Sequence, residues 1–165
     1  SGAVSERFFF DPLGWNVDAT GDFDGSGTDD LLLRNTAEGG EAIWFMDQTG
    51  AVSERFFFDP PDWDVHATGD FDGSGTDDLL LRNATGEDEV IWYLDQQAGT
   101  VSERFFFDPP DWDVDTTGDF DGNGADDLVL RNAAGGEEVI WYLDQPGMVA
   151  DRFFMDPEGY DSVTV

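Results

Sequence analysis

Asp22, Asp24 and Asp30 hold the first, third and ninth positions of an acidic loop running from Asp22 to Asp30. Gly21 precedes it, Gly25 and Gly27 break it, the Ser26 hydroxyl sits fifth and the Thr28 carbonyl seventh. This spacing on a tight loop aims alternate oxygen donors inward, and a hard divalent cation takes roughly six to eight oxygens in a loose shell. Gly25 and Gly27 admit the positive φ angles that wrapping an ion demands. The pattern returns as Asp70, Asp72, Ser74, Thr76 and Asp78, and again as Asp119, Asp121, Asn123, Ala125 and Asp127. The expected cofactor is therefore Ca2+, about three ions per chain. An EF-hand fits poorly, because its loop is longer, is closed by a Glu, and places its essential glycine at the sixth position. A plain Asp-Gly turn is the bland reading of any single copy, and the recurrence of the same acidic positions favours the cation.

Other constellations are weaker. Adjacent acids such as Asp29 and Asp30 suggest glycosidase chemistry, but that needs two carboxylates of different environment facing one cleft. Neighbours at a strand entry point to opposite sides. His66 is the sole histidine, and its repeat counterparts are Asp18 and Asp115, so a partly exposed strand residue is expected rather than a catalytic base. There is no cysteine, and no Ser/His/Asp set or phosphate-cradling glycine loop is apparent. An enzyme usually breaks symmetry to build one site, whereas this chain repeats each polar feature. No catalytic residue is expected.

Trp15, Trp63 and Trp112, with Trp44, Trp92 and Trp141, are either core packing, the expected role, or platforms for sugar stacking. In the run Phe8 to Phe10 and its copies, successive rings face opposite ways, so one must pack on a neighbouring unit or stay exposed. Arg7, Arg55, Arg104 and Arg152, with Arg34, Arg82 and Arg131, are so outnumbered by acids that each should find a carboxylate, with bidentate pairs between units.

The chain has 165 residues, 38 of them Asp or Glu against seven Arg and no Lys, for a net charge of -31. Its 39% hydrophobic and 15% aromatic content argues for a real core under that charge. Self-repulsion should be severe at low salt. Bound calcium or high ionic strength would offset it, since screening shortens to about 3 Å at 1 M salt. A salt-loving source explains the surface, and a solubility coat explains it as well. Nucleic acid and anionic lipid would meet repulsion everywhere, and no apolar run is long enough to insert in a membrane. The weak calcium sites point to an extracellular or cell-surface location.

Internal repetition decides the expected architecture. The element beginning at Gly2 recurs from Gly50, Gly99 and Gly147, giving repeats of about 2–49, 50–98 and 99–146 and a partial one at 147–165, all within a single domain 1–165. Each period carries four strand signals. In the first, residues 15–19 alternate, 30–34 form a continuous apolar run, and 42–46 and 52–58 follow after glycine turns. No stretch has a helical period. Four antiparallel strands in under about fifty residues is the size of one propeller blade.

Here the sequence resembles the FG-GAP/VCBS repeat family. The pieces that carry the resemblance are GDFDGSGTDDLLLRN with IWFMDQ, the same stretch with IWYLDQ, and GDFDGNGADDLVLRN with IWYLDQ. The resemblance implies an all-β fold of β-propeller-type four-stranded blades, with the WxV strand innermost and calcium in the turn to the second strand. Two features depart from the family: Ser26, Ser74 and Asn123 stand where it usually has Asp, and the Gly-Ala-Pro element is missing.

Three full blades are expected, plus one stray strand at each end, in residues 2–10 and 160–164. Closed propellers use about four to eight blades, so the expected partner is a second copy completing a ring, and an excised piece of a longer array is the alternative. The expected function is a non-catalytic calcium-binding module for adhesion or ligand recognition of a glycan or protein, with calcium structural. The alternatives are a lectin with pockets between blades and, less favoured, a polysaccharide-degrading enzyme.

Overall fold

The computed structural model describes residues 13–58, 60, 62–85, 88–95, 101–107, 111–145 and 147–155, with backbone alone at 103, 104, 106 and 107. The strands of the first repeat are β1 (Trp15–Gly21), β2 (Asp30–Asn35), β3 (Glu41–Met46) and β4 (Val52–Phe58). Those of the second are β5 (Trp63–Gly69), β6 (Asp78–Asn83), β7 (Glu89–Leu94) and β8 (Val101–Phe107). The third contributes β9 (Trp112–Gly118), β10 (Asp127–Asn132), β11 (Glu138–Asp144) and β12 (Met148–Met155). There is no helix among the described residues. Each repeat makes its own antiparallel sheet with strands in chain order, and the three sheets do not close into a barrel. The extra strands expected at 2–10 and 160–164 lie outside the described residues, as do Arg7 and Phe8 to Phe10.

The apolar run of the second strand explains how the sheets stack. In β6, Leu79 and Leu81 enter a core shared with the first sheet, among Phe23, Leu32, Ile43 and Phe45. Leu80, pointing the other way, enters a core shared with the third, among Phe71, Leu128, Leu130 and Leu143. A strand buried on both faces has no polar side to show, so its sequence is continuous rather than alternating. Between sheets the strands that lie near one another are the first ones, β1 beside β5 and β5 beside β9.

The phenylalanine run resolves as the pleat requires. Phe56 and Phe58 lie on one face with ring centroids 5.6 Å apart and join the first core. Phe57 points the other way, exposed, with its ring 6.0 Å from that of Trp15 in an edge-on arrangement. Trp63 and Trp92 pack against the first core and Trp112 and Trp141 against the second, the packing role expected of them.

Two irregularities recur. The β1–β2 register skips Asp18, and the equivalent pairings skip His66 and Asp115. The third-to-fourth strand pairing skips Ser53, Ser102 and Ala150. Such bulges raise local twist, and the Ser53 and Ser102 hydroxyls donate to the Phe45 and Tyr93 carbonyls at 3.2 Å each.

Phe71 is fully buried between the second and third sheets. Phe71→Ala should cost about 3–5 kcal/mol of unfolding free energy. Denaturant titration reads this, and a loss under about 1 kcal/mol would contradict the shared core.

Candidate metal sites and the seams between sheets

The loop between β1 and β2 gathers its carboxylates because glycine lets it turn back on itself. Gly25 and Gly27 have φ of 69° and 81°, as do their counterparts in the other loops to within similar values. Asp22, Asp24 and Asp30 thereby offer carboxylate oxygens all within 4.8 Å of one another, and so do Asp70, Asp72 and Asp78, and Asp119, Asp121 and Asp127.

Backbone N–H groups hold these carboxylates in place. Ser26 N–H donates to Asp22 Oδ1 and Asp24 Oδ1, both at 2.9 Å, and Gly27 N–H donates to Asp22 Oδ2 at 2.7 Å. The second loop repeats this with Ser74 and Gly75, and the third with Asn123 and Gly124. The ninth-position acid has a second task. Asp30 accepts Phe23 N–H at 3.0 Å and Met46 N–H at 2.7 Å, tying the loop to the end of β3. Asp78 clamps Phe71 and Leu94 the same way, and Asp127 clamps Phe120 and Leu143.

The remaining expected donors are placed as follows. The Ser26 and Ser74 hydroxyls accept the Thr28 and Thr76 N–H groups at 3.3 Å, and Asn123 Oδ1 accepts Ala125 N–H at 2.6 Å. Asn123 also donates to the Leu143 carbonyl at 2.7 Å. Thr76 and Ala125 are buried and Thr28 is half-buried.

Electrostatically the clusters are unbalanced. Burial pushes the Asp30 carboxyl up to about 6, and the nearby charges of Asp24 and Asp22 add to the rise. Asp78, more deeply buried, is pushed up to about 8, and Asp127 is raised for the same reason. Arg34, Arg82 and Arg131 pair with other carboxylates. An all-oxygen, anionic donor set held by glycine turns fits a hard dication. Such an ion would supply the positive charge that the described side chains near these loops do not.

The first acid of the second and third Asp-Asp pairs does something the sequence reading missed. Asp77 Oδ2 accepts the N–H of Asp22 in the preceding sheet at 2.7 Å, while Asp77 N–H donates to the Asp22 carbonyl at 2.9 Å. Asp126 grips Asp70 likewise, at 3.2 and 2.7 Å. A Cβ on Gly21 or Gly69 would overlap the incoming Asp77 or Asp126 carboxylate. The doubled Asp following a Gly-Asp loop in each repeat was the available signal.

A second set of polar groups bridges the same seams. Arg34 reaches Asp18 at 3.1 Å and Glu41 at 2.9 Å in its own sheet, and Asp64 at 2.7 Å in the next. Glu41 accepts Val65 N–H at 3.3 Å. Arg82 pairs with Glu89 at 2.7 Å and stands 3.6 Å from Asp113. Arg55 and Arg152, expected to pair with carboxylates, make no ion pair with a described residue and lie over the Trp44 and Trp141 rings, at 4.5 and 4.3 Å from the ring centroids. On the fourth strand each sits directly opposite that tryptophan, and the ring face attracts a cation. His66 is exposed at its bulge with Nε2 3.0 Å from the Val114 carbonyl. A cavity of about 270 Å³ lies between β1 and β5, lined by Asp18, Ala19, Leu32, Arg34 and residues 65–68.

A comparison of the chain with protein-family models, with curated proteins and with solved structures finds no match.

Burial pushes Glu41 up to about 7 and raises Glu89, and Oε2 of each is buried without a hydrogen-bond partner. Between the unfolded carboxylate range and about 7, the folded chain therefore keeps a proton that the unfolded chain has released. Stability from this source is full at low pH and is lost as pH rises through the folded value. In metal-free buffer at high salt, Glu41→Gln should lose less stability than the parent between about pH 5 and about pH 8. Melting curves across that range check it, and parallel profiles would refute the assignment.

Proposed function

We propose that the chain is a non-catalytic, calcium-binding β-propeller module, with its sheets as blades of the FG-GAP/VCBS type and calcium in a structural role. The observation that carries this reading is the convergence of three carboxylates in the same turn of all three repeats. The module would serve adhesion or ligand recognition in an extracellular or cell-surface protein of a salt-loving organism. In support, the net charge is -31, and among the described residues no helix is long and apolar enough to cross a membrane.

In this reading Asp22, Asp24 and Asp30 and their counterparts hold the ion, whose charge would relieve their mutual repulsion. Asp30, Asp78 and Asp127 then pass the gain onward, because each also fixes the end of the third strand through Met46, Leu94 or Leu143. A lectin remains the second reading, favoured by the cavity between β1 and β5, where Arg34, Asp18 and His66 supply polar groups beside Ala19, Leu32 and Val65. No tryptophan lines it, which weakens the stacking version of that idea.

At free calcium about tenfold above the dissociation constant, each site would add about 1.4 kcal/mol to stability. Calorimetric titration of chelator-treated protein should find about three sites per chain, in the roughly 0.1–1 mM range of weak extracellular sites. Asp72→Asn should remove one of them while the far-UV spectrum holds. A melt unchanged by chelation, with no metal by elemental analysis, would sink the proposal.

A further inference from the structure

Both seams inside the chain are built from the same parts. The next sheet's Asp77 or Asp126 brackets the backbone of Asp22 or Asp70. Arg34 and Arg82 reach the next first strand at the Val65 and Val114 carbonyls. Glu41 takes the Val65 N–H, and Phe23 and Phe71 are wholly buried in the shared cores.

The outer faces carry the two halves of a third such seam. On the third sheet, Phe120 is 48% exposed where Phe23 and Phe71 are 0%. Asp119 and its neighbour Gly118 have no incoming carboxylate among the described residues. Arg131, with Asp115 and Glu138 as its partners, is 52% exposed against 28% and 22% for Arg34 and Arg82. Phe153 is exposed where its counterparts Phe56 and Phe105 pack against the cores. On the first sheet, Asp29 is the counterpart of Asp77 and Asp126, is exposed, and has no partner among the described residues. Val17 is 45% exposed, while Val65 and Val114 are 9% and 4%.

The geometry points to a second copy of this chain as the occupant of both faces, giving a closed ring of two chains. Asp29 of one copy brackets the backbone of Asp119 in the other, and Phe120 is buried against the first sheet beside Val17. Arg131 and Glu138 take the Val17 carbonyl and N–H, as Arg34 and Glu41 take those of Val65. Asn16 stands where Asp64 and Asp113 stand at the internal seams, so this junction holds one acid fewer. Such a contact is head-to-tail, and head-to-tail contacts make rings where the rotation closes and filaments where it does not. Closure at two copies rests on the propeller reading: one chain supplies three units, two supply six, and three supply nine, against the roughly four to eight that closed propellers use.

The test is the mass of the whole chain by sedimentation equilibrium in about 2 M salt, where repulsion between the acidic copies is screened. The expected mass is twice 18.2 kDa. Asp29→Ala and, separately, Phe120→Glu should each return it to a single chain, with the far-UV spectrum kept. Asp29 is exposed and its carboxylate makes no hydrogen bond or ion pair with a described residue, so its loss should leave the fold intact, and Glu38→Ala, at an exposed turn acid, should leave the dimer unchanged. A parent that stays monomeric at all concentrations, an open series of masses growing with concentration, or a dimer indifferent to both variants would each overturn the inference. Calcium titration is a separate readout: sites that fail to bind would remove the proposed function and leave the mass result standing.

Discussion

Three carboxylates confined to one turn repel each other, and the fold depends on what balances them. The backbone does part of the work, since Ser26 and Gly27 turn their N–H groups onto Asp22 and Asp24, and Phe23 and Met46 turn theirs onto Asp30. Amide dipoles reduce the repulsion without cancelling the charge, which is why burial still raises Asp30 and Asp78. Because Asp30 holds both the Phe23 N–H in the loop and the Met46 N–H at the end of β3, any relief of charge at the loop reaches β3 directly. Three dications at two charges each would take the net charge from -31 to -25. Their effect would thus be local, at the turns, and the bulk of the acidic surface would still call for salt.

The same loops also join sheet to sheet. A glycine at positions 21 and 69 leaves the backbone bare, and an aspartate from the following sheet fills the space and makes two hydrogen bonds there. The turn is thus one object with two partners, its own third strand on one side and the neighbouring sheet on the other. Change at a loop is felt at a seam, and the cores on either side of β6 have little freedom to respond independently, since Leu79, Leu80 and Leu81 serve both.

The strands, their order and the clustered acids were legible in the sequence because the repeat presents each signal three times and because glycine positions leave few backbone choices. The Phe56 to Phe58 alternation followed from the pleat alone. The inter-sheet role of Asp77 and Asp126 was hidden, since a pair of adjacent acids reads equally as solvated turn residues and only the stacking of sheets brings the second partner. Glu41 and Glu89 escaped notice for a related reason: each opens its strand after a polar turn, and their burial depends on β5 and β9 arriving from the next repeat. The ring contacts of Arg55 and Arg152 were hidden because counting charges points to carboxylates, while cross-strand register set these side chains over indole rings. Long-range neighbours, not local preference, decided every one of these.

The distribution of basic residues has a consequence for digestion by proteases. Lysine is absent, and each arginine with a described backbone lies inside a strand: Arg34, Arg55, Arg82, Arg104, Arg131 and Arg152. A protease that cleaves after basic residues needs an extended, unpaired segment in its cleft, and a peptide bond in a hydrogen-bonded ladder must first be peeled away. The loops, which digestion ordinarily attacks first, carry acids and glycines and hold no described substrate for such an enzyme. At these six arginines, cleavage by a trypsin-like protease is thereby tied to the opening of whole strands.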